Sequence, residues 1–178
     1  MTTVENIFIF GTIAILFILI LFVKNIFWNK LGLVPNKFFR GWWQVVLFNV
    51  SVFILVQLVI FYKFIDFPNW ITDKDPLLPL LVIVLLQELI FRGLLISWLE
   101  KLGKQKALWI SVLIFVLFHL IAPYSWSAAG FSFAILTLVG GYFWGWHFLK
   151  FRNIYLLTIS HFLVNLSFNY FIFQFLLR

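Results

Sequence analysis

Two charged residues, Glu88 and Arg92, stand inside an otherwise apolar run from Pro76 to Leu99. An ionisable side chain at membrane depth costs at least about 2.5–3.5 kcal/mol, so it faces protein or a water-filled cavity and marks a candidate site. Spaced four apart, the two share one helical face and can pair. Alone, such a pair reads equally as a buried ion pair that pins a bundle. His119, and then His161 with Asn165 one turn later, lie in two further apolar runs and widen the reading to a polar constellation. Glu88, His119 and His161 are also the donor types of a His₂Glu zinc site with one open position. The tight His-Glu-x-x-His spacing that would signal a metal independently is absent.

Three separate elements must bring these residues together. Spanning helices need about 20 mostly apolar residues, and the chain offers about six such stretches. They run from Asn6 to Val23, Gly41 to Tyr62, Pro76 to Leu99, Ala107 to Ala122, Ser127 to Leu149 and Asn153 to Leu177. Asp75 can cap the third, and Pro76 suits its first helical position. Counting 1.5 Å of rise per residue puts Glu88 and Asn165 each roughly 18 Å into its span, with His119 shallower. The expected fold is therefore an all-α, polytopic membrane bundle forming one domain over residues 1–178.

Composition agrees with that placement. The chain has 178 residues, 64% hydrophobic and 11% charged, and a mean hydropathy of +1.08. So few charges cannot cover a water-soluble globule. A soluble enzyme, a disordered tail and a nucleic-acid-binding module are excluded, and the surroundings are membrane lipid. The net charge of +7 is a topology signal. Lys24, Lys30, Lys37 and Arg40, then Lys101, Lys104 and Lys106, then Lys150 and Arg152, fall in alternate loops. The positive-inside rule puts those loops in the cytoplasm and the N-terminus outside. The first stretch lacks a basic n-region and a cleavage site and reads as a retained span. With no cysteine, disulfides and thiol nucleophiles are ruled out.

The ordered motifs resemble a family. Gln87-Glu88-Leu89-Ile90-Phe91-Arg92, Phe115-Val116-Leu117-Phe118-His119 and His161-Phe162-Leu163-Val164-Asn165 match in order and spacing the three motifs of the CPBP (Abi) intramembrane proteases. That family includes the CAAX prenyl endopeptidases. The glycine-bearing run Gly140-Gly141-Tyr142-Phe143-Trp144-Gly145 also fits. The likeness covers about residues 76–170 as a catalytic core, with residues 1–75 adding two N-terminal spans.

The resemblance implies an intramembrane endopeptidase acting on membrane-embedded or lipidated peptides. In a bacterial cytoplasmic membrane this means processing of, or immunity to, membrane-active peptides; in a eukaryote, CAAX trimming. It implies that a first glutamate and His119 activate water, while His161 and Asn165 polarise the scissile carbonyl, and that Glu88 is engaged by Arg92. Here the first glutamate position is Gln87, and an amide cannot act as a general base. The glutamine is either an introduced substitution that silences the enzyme or a natural feature of a non-proteolytic relative that binds peptides in the same cavity. The chemistry requires no cofactor, and zinc on Glu88, His119 and His161 remains an open alternative. A small transporter would call for interrupted helices in two matching halves, which this sequence lacks.

Weaker features complete the reading. Residues 24–40 form a connecting loop or a helix at the headgroup boundary. Gly141 and Gly145 make a small-xxx-small face for bundle packing or a dimer contact. Trp144, Trp146 and His147 read as interfacial anchors. Asn49, Ser51, Gln57, Ser160, Ser167 and Asn169 line a cavity or bond between helices.

Overall fold

Long runs of Leu, Ile, Val and Phe favour helices that satisfy their own backbone groups, as hydrocarbon requires. A computed structural model of the chain describes residues 11, 28–33, 39–62, 77–120 and 128–168. Their regular structure is helical: α1 (Trp28–Leu31), α2 (Trp42–Phe61), α3 (Leu77–Leu102), α4 (Lys104–Leu120), α5 (Ala128–Phe151) and α6 (Ile154–Ser167). No strand occurs among the described residues. The runs beginning at Gly41, Pro76, Ala107, Ser127 and Asn153 correspond to α2 through α6. The expected first span falls, Gly11 apart, outside the described residues, as do Asp75, Pro76 and Asn169.

Two of these helices, α2 and α3, are long and apolar enough to cross a membrane. Along α2, Val46, Leu47, Val50, Ile54, Leu55 and Leu58 are all exposed. A continuous apolar face of that length calls for an apolar cover, lipid or another helix. Pro79 lies in the first turn of α3, where its missing N–H breaks no helical bond.

Neighbouring helices are joined tightly. Between α3 and α4 the chain reverses at Gly103, whose φ of +103° favours glycine. Between α5 and α6, the Arg152 N–H bonds to the Phe148 carbonyl at 2.8 Å. Asn153 then caps α6, its side chain accepting from the Leu156 N–H at 3.1 Å. The Arg152 guanidinium donates to Glu100, to Ser97 Oγ at 3.1 Å and to the Lys30 carbonyl at 3.2 Å.

That last bond bears on the expected loop 24–40. Its described part, residues 28–33, begins with the short helix α1 and is tied to the bundle. Leu31 is buried, the Gly32 carbonyl accepts from the Ile154 N–H at 3.1 Å, and Ser97 Oγ donates to the Lys30 carbonyl at 2.7 Å. The segment is a strap across the ends of α3 and α6.

The α4–α5 contact uses the small-residue face. A Cβ on Gly145 would stand 2.5 Å from Leu108 Cδ1, and one on Gly141 3.1 Å from the Phe115 ring. Two polar residues of α2 bond across to α6, Asn49 Nδ2 donating to Ser160 Oγ at 2.7 Å and Gln57 Nε2 to the Ser167 carbonyl at 3.2 Å, whereas Ser51 is exposed. The helix thus turns its few amides inward and its apolar face outward.

Two expected anchors are core residues instead. His147 is fully buried, with Nε2 3.1 Å from the Gly41 carbonyl. Trp144 is 3% exposed and belongs to the site. Position near a span's end suggested an interface, but the helix rotation set by Gly141 and Gly145 turns both rings inward. Trp146 does lie at the periphery, with Lys150 Nζ 5.1 Å from its ring.

Candidate active site

The helix that carries the first motif changes character at the site. After Glu88, residues Leu89–Ile96 form a π-helix that includes Arg92. Such turns are rare and gather at functional sites. In an α-helix, residue i+4 is carried about 40° past residue i. Here the wider turn still leaves Arg92 within reach of Glu88, one turn back. Gly93 keeps the strap close, because a Cβ there would stand 3.3 Å from the Leu31 carbonyl oxygen.

Glu88 is fully buried and Arg92 is 1% exposed. Arg92 Nη1 lies 3.3 Å from Glu88 Oε1. The same carboxylate oxygen is 2.8 Å from His161 Nδ1, the ring nitrogen that donates to it. One buried oxygen thus joins α3 to α6. The second oxygen, Oε2, has no hydrogen-bond partner among the described residues.

Aromatic rings surround the guanidinium. Its carbon sits 4.2 Å from the centroid of Phe115 and 5.4 Å from that of Trp144. Nη2 reaches the Gly141 carbonyl at 3.5 Å. Cation–π contact in a desolvated setting is worth about 2 kcal/mol or more, which partly offsets burying the charge.

Phe115 is also the link to His119. The two rings meet at 4.4 Å, and Phe115 meets the His161 ring edge-on at 5.9 Å. His119 Nδ1 lies 2.7 Å from the Phe115 carbonyl, one turn back on α4. A carbonyl only accepts, so Nδ1 carries the proton, and the neutral ring keeps its lone pair on Nε2. His119 therefore joins the constellation through a ring, although residue counting placed it shallower. Gln87, also buried, precedes Glu88 on α3. Asn165 lies one turn beyond His161 on α6 and is partly buried.

A family model of Rce1-like type II CAAX prenyl endopeptidases matches residues 75–167. The chain belongs to that family. No curated protein and no solved structure gave a match. Membership makes this a membrane-embedded chain of protease type at the family level, and the matched stretch contains α3 to α6 whole.

Within this Rce1-like chain, two of the candidate zinc donors, Glu88 and His161, are engaged with each other. Glu88 Oε1 is already occupied by His161 and Arg92. Among the described residues, no three His, Cys, Asp or Glu side chains are grouped to hold an ion.

The structure adds two residues that the motifs did not single out for the site. Trp144 stacks on His161 with centroids 4.2 Å apart, and Ser160 accepts the Trp144 indole N–H at 2.9 Å. A signal for Trp144 was present. It stands three residues after Gly141 on the same helical face, and a buried indole needs a partner for its N–H.

Proposed function

We propose that this chain is an intramembrane CAAX-type endopeptidase whose site hydrolyses a peptide bond of a membrane-embedded or lipidated peptide, and that Gln87 holds it in a weakly active form. The observation that carries this reading is the buried Glu88–His161 bond at 2.8 Å, with Arg92 on the same oxygen.

Glu88 on this account is a positioning residue. Its Oε1 is committed to Arg92 and His161, and in this reading the carboxylate serves to hold that ring. Water activation falls to His119 Nε2 together with the side chain at position 87. The water oxygen attacks the scissile carbonyl carbon while its proton passes to the base. His161 is held by its Nδ1–H. When the ring carries a second proton, it presents Nε2–H toward the developing oxyanion, joined by the Asn165 amide. Collapse of the tetrahedral intermediate breaks the C–N bond, and the amine leaves with the proton returned by the base.

Gln87 can hold a water by hydrogen bonds but cannot accept its proton. The chain spans the bilayer six times in this reading, with its lysine- and arginine-rich loops in the cytoplasm. Membrane lipids and the peptide are its partners.

The test is hydrolysis by the purified protein carrying Gln87→Glu, using a prenylated CAAX peptide and an unlipidated hydrophobic peptide. Cleavage that disappears on adding His119→Ala or His161→Ala supports the assignment. A revertant that binds either peptide without cutting it makes the chain a peptide-binding relative.

A further inference from the structure

Two hydrogen bonds and a ring stack link α2, outside the family-matched stretch, to the ring of His161. Asn49 Nδ2 donates to Ser160 Oγ at 2.7 Å and to the Val45 carbonyl at 2.8 Å. Trp144 Nε1–H donates to the same Ser160 oxygen at 2.9 Å. An indole N–H and an amide NH₂ only donate, so Ser160 Oγ accepts both bonds and their direction is fixed. Ser160 is fully buried. Above it, the Trp144 ring lies against His161, with planes 23° from parallel.

The Glu88 bond holds His161 through one nitrogen and tolerates a range of bond angles, so small χ1 and χ2 excursions of the ring stay open to it. Such excursions carry Nε2, on the far side of the ring, through an arc. Trp144 blocks them on one face, and the edge-on Phe115 ring approaches from another side. The Trp144 plane is in turn fixed by its N–H bond to Ser160, and the Ser160 oxygen by Asn49.

We propose that Trp144, Ser160 and Asn49 are positioning residues that set the plane of His161 and the direction of its Nε2, so that α2 takes part in the site. This rests on the reading of His161 as a catalytic group, but its geometric half can be tested without activity. None of the three residues touches the reacting atoms. Their effect falls on turnover, because a misplacement near 1 Å costs about 100-fold in rate.

The experiment uses the full-length protein carrying Gln87→Glu, in detergent, with ¹⁵N-labelled histidine. The His161 Nδ1–H resonance is assigned by its loss in His161→Gln. Trp144→Leu should broaden or shift that resonance and lower kcat on the prenylated CAAX peptide by about tenfold, with KM held within about twofold. Trp144→Phe, which keeps the stacked face, should restore most of both. Asn49→Ala should shift the same resonance and lower kcat a few-fold. If Trp144→Leu does not fold, Asn49→Ala carries the same two readouts. A His161 resonance and a kcat that match the parent in Asn49→Ala, and in Trp144→Leu where it folds, would overturn the proposal. If the Gln87→Glu parent cuts neither peptide, the enzymatic reading fails while the resonance still decides the positioning.

Discussion

His161 of α6 donates its Nδ1–H to Glu88 Oε1 of α3 at 2.8 Å, joining two residues 73 apart in sequence. The third member, Arg92, reaches the same oxygen from within α3. The trio is therefore both a tertiary clamp and a means of holding one imidazole. Its members respond differently to substitution.

Glu88→Gln leaves the Arg92 charge buried without its counter-ion. Removing one partner of a buried pair costs roughly 3–5 kcal/mol. Thermal unfolding in detergent should show a large drop in Tm for Glu88→Gln and for Arg92→Met. The double variant Glu88→Leu/Arg92→Met should lose less than the two single losses combined, since no orphaned charge remains.

The Glu100–Arg152 pair offers a contrast. Its side chains retain 22% and 18% exposure, and partly solvated pairs contribute about 0–1 kcal/mol. Glu100→Gln should shift Tm slightly and leave peptide binding at the site unchanged. A loss as large as that of Glu88→Gln would show that the strap and the α5–α6 corner bear more of the stability than their exposure indicates.

Phe115 touches Arg92 and both site histidines and is 1% exposed, whereas its neighbour Phe118 is 36% exposed. Phe115→Ala opens a cavity and should cost about 3–5 kcal/mol. Phe118→Ala should cost less than half of that. Comparison of the two unfolding curves checks it.

Gly32 holds the strap with a φ of +76°, and a Cβ there would stand 2.8 Å from Phe148 Cε2 and 3.0 Å from the Arg152 carbonyl. Gly32→Ala should cost more than about 1 kcal/mol. It should also speed hydrogen exchange at the Ile154 amide, which donates to the Gly32 carbonyl. Unchanged exchange would mean that the strap tolerates the side chain.

Much of this architecture can be read from residue order. Glu88 and Arg92 stand out because charge is scarce, and the polar residues on the runs of α4 and α6 mark the other sides of the site. Helix positions follow from apolar length. Other features depend on partners distant in sequence. The π turn at Leu89–Ile96 has no local signature in the residue pattern. Trp144 and His147 look like interfacial anchors until the rotation of α5 is known. Asn49 shows its link to the site only once α2 is packed on α6. For Gln87, composition and packing together leave one question, which is chemical.

That question is answered by the rate at which the purified protein, with Gln87 and with Gln87→Glu, hydrolyses the prenylated CAAX peptide. Restoring the acid–base group should raise kcat/KM by about 10²–10⁴-fold, and adding His161→Ala should remove the gain. Equal rates for the two proteins, or full activity without His161, would contradict the account.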